Sequence, residues 1–68
     1  MSNSSGECVQ RLLEALPKRY REVLICRFLL DLSIRDTALR MGMTEANVKV
    51  VQFRALRYAT ALEHGAAS

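Results

Sequence analysis

The 68-residue chain is poor in the residues from which active sites, metal sites and disulfide frameworks are built. It holds three glycines, no tryptophan, two cysteines and one histidine, His64, which lies near the C-terminus. A single histidine in a tail excludes Ser/His/Asp and Cys/His catalysis, and three scattered glycines form no phosphate-binding loop. Cys8 and Cys26 lack the CxxC or Cys/His spacing of a zinc site, so we expect two reduced thiols. The chain is therefore predicted to be neither an enzyme nor a metalloprotein, and to need no cofactor.

Long hydrophobic runs are also missing, although half of the residues are hydrophobic. No run is long enough to span a membrane and no targeting segment is visible, so we expect a cytoplasmic protein without membrane insertion. Strand-like alternation, internal repeats and low-complexity tracts are absent from the sequence as well. We predict one small all-α domain over residues 7–62, between a linker at residues 1–6 and a flexible tail at residues 63–68.

Two helices joined by a tight turn are predicted between Leu32 and Leu62. Ser33 is placed to cap the first helix and Thr44 the second, and Gly42 stands where a left-handed helix end favours glycine. Apolar residues at helical spacing give each helix one buried face. They are Ile34, Ala38 and Met41 on the first helix, and Val48, Val51, Ala55, Ala59 and Leu62 on the second. This pattern is typical of a helix-turn-helix, whose second helix suits the major groove of DNA.

Two shorter helices are predicted ahead of this motif, over Cys8–Leu16 and Lys18–Leu30. Pro17 ends the first of them and, with its fixed φ, suits the first turn of the next. The second helix is expected to bury four apolar and aromatic side chains, Tyr20, Val23, Leu24 and Phe28. The predicted fold is therefore a four-helix domain.

The basic residues of the chain point to nucleic acid as a partner, because ten Lys and Arg stand against seven Asp and Glu. Lysine and arginine reach guanine O6 and N7, and apolar side chains pack on thymine methyl groups. On this ground the predicted base-reading set is Lys49, Val50, Phe53 and Arg54. The predicted phosphate contacts are Arg35, Thr44 and Arg57, with Lys18, Arg19 and Arg21 as a second basic group. The alternative is a merely solvated face, against which an exposed phenylalanine in a basic helix argues.

The helix predicted over Lys18–Leu30 carries more apolar residues than one small core can bury. A helix that is apolar nearly all round is buried on two sides or docks on another molecule. One interpretation is that the helix predicted over Cys8–Leu16 covers the side that faces away from the core. The other is that a partner protein binds there, and the predicted partner-binding residues are Ile25, Leu29, Leu30 and Leu39.

Three stretches of the chain resemble region 4 of bacterial RNA polymerase sigma factors, most closely the extracytoplasmic-function group. ALPKRYREVLICRF, residues 15–28, is similar to the helix with which that domain begins. LSIRDTALRMGMTEANVKV, residues 32–50, is similar to its helix-turn-helix, with the glycine and both caps in register. VVQFRALR, residues 50–57, resembles the end of its recognition helix. The three motifs occur in the family's order and with short correct spacings, and the resemblance covers nearly all of residues 12–62.

The resemblance implies a winged-helix-like fold of the sigma region 4 type, without the wing. It implies a monomeric domain that binds the −35 element of promoter DNA and docks on the flap of the polymerase β subunit. It also implies an anti-sigma factor that masks the domain. Region 2, which opens the promoter in this family, is absent from these residues, so we expect the domain to work as part of a longer protein.

The chain departs from the family pattern at four positions. Thr37 stands where an aliphatic residue is usual, so we expect looser packing or a hydroxyl bonded back to a helix carbonyl. Leu30 and Leu39 replace residues that are more often polar in the family. Val50 is apolar where several relatives offer the bases a polar side chain, which bears on base preference.

Two other functions stay open at the level of sequence. One is a response-regulator-type helix-turn-helix domain, which would dimerise on a palindromic site; the LPKRYREVL stretch fits it less well. The other is a protein-interaction module for which DNA is only the competitor of an anti-sigma partner.

Overall fold

The computed structural model describes the backbone of residues 2–67 and the side chains of residues 8–62. Its α-helices are α1 over Ser2–Ala15, α2 over Lys18–Leu24, α3 over Ile34–Met41 and α4 over Glu45–Ala67, and a π-helical turn over Ile25–Leu29 continues α2. Residues 2–67 contain no strand, and no helix among them is both long and apolar enough to cross a membrane. The predicted all-α fold of four helices is confirmed.

The outer helices are longer than the sequence pattern predicts. α1 begins at Ser2, so the linker expected over residues 1–6 is helical from its second residue. α4 continues past Leu62 to Ala67, so most of the tail expected over residues 63–68 is helical too. Extending an existing helix adds a hydrogen bond with each residue and costs little, even for weak helix formers such as serine. The limits of the folded domain stay a prediction, because helix ends alone do not define them.

The caps predicted for the helix-turn-helix are present. Ser33 Oγ accepts a hydrogen bond of 2.9 Å from the N–H of Asp36, at the start of α3. Thr44 Oγ1 accepts one of 3.1 Å from the N–H of Asn47, at the start of α4. Between the two caps, Gly42 ends α3 in the left-handed conformation, with φ of 66°. These three residues fix where α3 stops and where α4 starts.

The core consists of two clusters of buried side chains on the inner side of α4. The first joins α2, α3 and α4 through Val23, Ala38, Val48 and Val51. The second joins the end of α1 to α2 and α4 through Leu16, Leu24 and Ala55. Tyr20 packs against both clusters and meets Tyr58 edge-on, with ring centroids 5.7 Å apart. The inward stripe predicted for α4 is thus confirmed, and it leaves the opposite side of the helix open.

Phe28 was predicted to be buried, and this prediction is wrong because its side chain is 56% exposed. The inward positions at this end of the helix are taken by Cys26, which is buried, and by the half-buried Arg27. The N–H of Leu30 bonds to the carbonyl of Ile25 at 2.9 Å, which is the i to i+5 bond of a π-helix. A pattern based on 3.6 residues per turn cannot anticipate which side chains such a turn directs outward.

Thr37 is fully buried in α3, and its hydroxyl is not bonded back to a helix carbonyl. Among the described residues Thr37 Oγ1 has no hydrogen-bond partner at all. The expected backbone bond is therefore not made, and the hydroxyl occupies a place in the core that suits an aliphatic methyl group.

Candidate nucleic-acid interface

The outer face of α4 carries the four side chains predicted to read base edges. Lys49, Val50, Phe53 and Arg54 are all exposed, with Val50 at 45% and Phe53 at 61%. Val50, Phe53 and Arg54 come one, four and five positions after Lys49, so the four residues share one side of the helix. The buried Val48, Val51 and Ala55 hold the other side against the core. The packing of α4 therefore presents the predicted set together, on a convex helical surface that fits a groove.

The outer face of α4 begins at the N-terminus of the helix, which Thr44 caps. Thr44 is exposed and bound as a cap, and the backbone N–H groups of the following turn give this helix end a partial positive charge. Asn47 lies exposed in the first turn, and asparagine pairs with adenine in the major groove. Asn47 was not among the residues predicted from the sequence to contact DNA. Its position in the first turn of a recognition helix, where base contacts concentrate, is the signal that would have included it.

The predicted phosphate contacts lie on both helices of the motif. Arg35 is exposed on the first turn of α3, and Arg57 is exposed on α4. The guanidinium carbon of Arg57 lies 5.6 Å from the centroid of the Phe53 ring, in a cation–π arrangement. Such a contact contributes about 0.5–1 kcal/mol at an exposed site. It joins a phosphate candidate to a base-reading candidate, a pairing that their four-residue spacing allows.

The second basic group lies on another helix. Lys18, Arg19 and Arg21 belong to α2; Lys18 and Arg19 are exposed and Arg21 is half-buried. This basic group therefore lies on a different helix from the candidate base-reading residues, which belong to α4.

A polar contact behind the outer face ties α4 to the segment that precedes α3. Arg27 Nε donates a hydrogen bond of 2.9 Å to Gln52 Oε1, and Arg27 Nη1 donates to the backbone carbonyl of Leu32. Arg27 and Gln52 are both half-buried. Sequence analysis gave neither residue a role. A lone arginine inside the apolar run ICRFLL was the available signal, because a buried guanidinium needs hydrogen-bond acceptors.

The predicted partner-binding residues lie on the π-helical turn, at its C-cap and on α3, and most of them are exposed. Leu29, Leu30 and Leu39 are 61%, 47% and 72% exposed, and Ile25 is half-buried. Phe28 adds its exposed ring, and we call these five residues the apolar patch. A groove of about 420 Å³ runs beside it between the turn and the end of α3, lined by Glu22, Ile25, Cys26, Leu30, Arg40 and Met41. α1 therefore does not cover this side of the molecule.

Two surface hollows border the candidate residues. Glu22 is the one carboxylate that lines the groove beside the apolar patch. A second hollow, of about 440 Å³, lies on the outer side of α4 and is lined by Phe53, Leu56, Arg57, Thr60 and Ala61. Among the described residues no three His, Cys, Asp or Glu side chains come together as a metal site would require. Cys8 is exposed and Cys26 buried, and both are free thiols.

Comparison with known proteins gives one family. The family model described as Sigma-70, region 4 matches residues 6–58. The extracytoplasmic-function RNA polymerase sigma factors SigD of Mycobacterium bovis and Mycobacterium tuberculosis are each 45% identical over 49 residues, which is 72% of this chain and 23% of SigD. The chain thus spans about a quarter of these curated relatives. A solved structure of the RsbN–BldN complex contains a similar chain, with a TM-score of 0.81 and 31% identity over 90% of this chain and 44% of that one.

Proposed function

Because the chain belongs to the Sigma-70, region 4 family, we propose that it binds the −35 element of promoter DNA as one domain of an alternative sigma factor. The observation that carries this proposal is the outer face of α4. Lys49, Val50, Phe53 and Arg54 stand exposed together there, while the inner side of the same helix is fixed in the core. A rigid helix with a basic and aromatic outer face is the means by which helix-turn-helix proteins read bases.

Binding then divides into orientation and reading. Arg35, Arg57 and the backbone N–H groups after Thr44 contact phosphates and fix the register of the domain on the duplex. The outer face of α4 discriminates between bases by hydrogen bonds from Lys49 and Arg54 and by apolar contact from Val50 and Phe53. The function is binding, and no covalent step is assigned to any residue of the domain.

The apolar patch is the proposed contact with proteins. The curated relatives are named RNA polymerase sigma factors, and the similar solved chain is part of a complex. We assign the patch to the flap of the polymerase β subunit, and propose that an anti-sigma factor which masks the domain regulates it. The domain acts in the bacterial cytoplasm, as a monomer, within a longer sigma factor. The family match removes the reason to keep the response-regulator interpretation.

The test is DNA selection followed by two arginine variants. In vitro selection with the wild-type chain yields a preferred duplex, and binding to it is compared with binding to a random duplex. Arg54→Ala should lower the preference about tenfold, because a base contact of this kind contributes about 1–3 kcal/mol of discrimination. Arg57→Ala should weaken binding to both duplexes alike, because a phosphate contact carries no sequence information.

Arg11→Ala is the matched control, since Arg11 is an exposed arginine on α1. It removes the same charge and should leave the preference unchanged. Selection that enriches no sequence would refute promoter recognition. Equal losses on both duplexes for Arg54→Ala would remove Arg54 from the reading set while leaving the function in place.

A further inference from the structure

We propose that Arg27 is a positioning residue for DNA reading, which sets the placement of α4 through Gln52 and does not touch DNA itself. This inference rests on the proposed function and goes beyond it. Arg27 lies in the π-helical turn, outside the helix-turn-helix, and its side chain is partly buried.

One guanidinium joins three parts of the fold. Its stem belongs to the turn Ile25–Leu29, its Nε bonds to Gln52 on α4, and its Nη1 bonds to the carbonyl of Leu32. Leu32 directly precedes Ser33, the residue that caps α3. The guanidinium thus connects the segment in which α3 is anchored with the helix that reads the bases. Its planar fork suits this task, because two acceptors are held at a fixed angle.

The segment held by Arg27 begins at a residue in a left-handed conformation and is also held through its backbone. Asp31 adopts a left-handed backbone conformation with φ of 57°, the one such non-glycine residue in the described chain. A non-glycine residue in this conformation is disfavoured and persists where the surroundings enforce it. The N–H of Leu32 donates a hydrogen bond of 2.8 Å to the carbonyl of Cys26, and the carbonyl of Leu32 accepts the hydrogen bond from Arg27 Nη1. Loss of the guanidinium should therefore let the segment that precedes α3 move more freely.

Gln52 transmits this constraint to the reading face. It precedes Phe53 in the chain, and Arg54 follows, so the rotation of α4 at Gln52 sets the direction in which both side chains project. Base discrimination requires contact groups to be held within about 0.5 Å of their productive positions. A shift of α4 too small to unfold the domain is thus large enough to weaken selectivity.

The experiment uses the full 68-residue chain and two substitutions that keep charge and size. Arg27→Lys keeps the positive charge but has a single nitrogen in place of the planar fork that joins the two acceptors, and Gln52→Met keeps the volume but offers no acceptor oxygen. Arg11→Lys and Gln10→Met on α1 are the matched controls. For each variant and for the double variant, the dissociation constants for the selected and random duplexes are measured, together with circular dichroism and urea unfolding.

Each single variant should lower the ratio of the random-duplex to the selected-duplex dissociation constant about three- to tenfold, the effect expected from the loss of one hydrogen bond of typical net strength. Binding to the random duplex should change less than about twofold, since charge is conserved. The double variant should lose no more than the more affected single variant, because both changes remove the same bond. In ¹⁵N NMR of the wild-type chain, the Nε–H of Arg27 should exchange slowly, and in Gln52→Met it should exchange fast.

Three results would overturn the inference. An unchanged ratio with reduced stability would make the contact an ordinary structural bond. Additive losses in the double variant would mean that Gln52 acts on DNA directly rather than through Arg27. A wild-type chain that selects no sequence would refute the proposed function and the inference together, whereas the first two results leave the function intact.

Discussion

Gly42 has a left-handed backbone but open space around its Cα. Its φ is 66°, and a Cβ atom at this position would lie more than 4 Å from every neighbour considered. Gly42→Ala should therefore reduce the free energy of unfolding by about 1–2 kcal/mol through the backbone alone. Gly42→Asn should lose less, because asparagine tolerates this conformation. Urea unfolding measures both, and a loss for asparagine as large as that for alanine would show that the backbone conformation is not the cause.

Thr37 places a hydroxyl in the core without a partner in the described structure. Thr37→Val replaces the hydroxyl by a methyl group of similar size, so it should raise the free energy of unfolding by about 1 kcal/mol. Thr37→Ser keeps the hydroxyl and removes the methyl group, so it should lower the same quantity. Urea unfolding measures the free energy of unfolding of both variants, compared at the same dependence on urea concentration. A less stable valine variant would mean that the hydroxyl is satisfied in solution.

Single residues were predictable where their role is local. Ser33, Gly42 and Thr44 were identified from the sequence because a cap or a left-handed helix end depends on the adjacent turn only. Phe28 and Arg27 were not, because their directions depend on a π-helical turn and on acceptors that lie 5 and 25 residues away. No periodicity in the sequence carries that information.

At the level of elements, the faces of the helices were easier to predict than their lengths. The inner stripe of α4 follows from spacing, because burial repeats with the helix period. The ends of α1 and α4 do not, since the sequence beyond each amphipathic stretch has no apolar residues at helical spacing. The candidate interface was therefore predicted as a face with four exposed candidate base-reading positions, while the Arg57–Phe53 contact needed coordinates.

The apolar patch gives a prediction at this scale. Leu39→Glu changes a side chain that is 72% exposed, so the free energy of unfolding should change by no more than about 0.5 kcal/mol. Burial of an unpaired carboxylate in a protein interface is costly, so binding to a β-flap fragment should fall at least about tenfold. Leu30→Glu should act in the same direction. Isothermal titration with the purified fragment measures the affinity.

Val9→Glu is the control for these variants, because Val9 is 48% exposed on α1 and lies outside the apolar patch. It introduces the same charge without touching the patch and should leave flap binding intact. If both patch variants remain folded and bind the flap and an anti-sigma factor as the wild type does, the patch has been assigned to the wrong partners.

The whole molecule is small, and its charge is modest. The described chain measures 35 × 24 × 14 Å, and the net charge of the full sequence is +3. A surface of this size makes few phosphate contacts, and each contributes through the release of counterions. Reading bases with one helix and holding few phosphates gives selectivity without much affinity. The domain is thus suited to act while other contacts hold it near its site.

The small number of phosphate contacts determines how DNA binding should depend on salt and on linkage to a second DNA-binding domain. With two or three ionic phosphate contacts, log K should fall with log salt at a slope of roughly −2 to −3, and the dissociation constant should be micromolar or weaker. Linking the chain to a second DNA-binding sigma domain should raise the affinity by roughly 10²–10⁴, through effective concentration alone. Fluorescence anisotropy at several salt concentrations tests both, with sedimentation to establish that the chain is a monomer. Nanomolar binding by the isolated chain, or a dimer on the selected duplex, would contradict a single domain that depends on its neighbours.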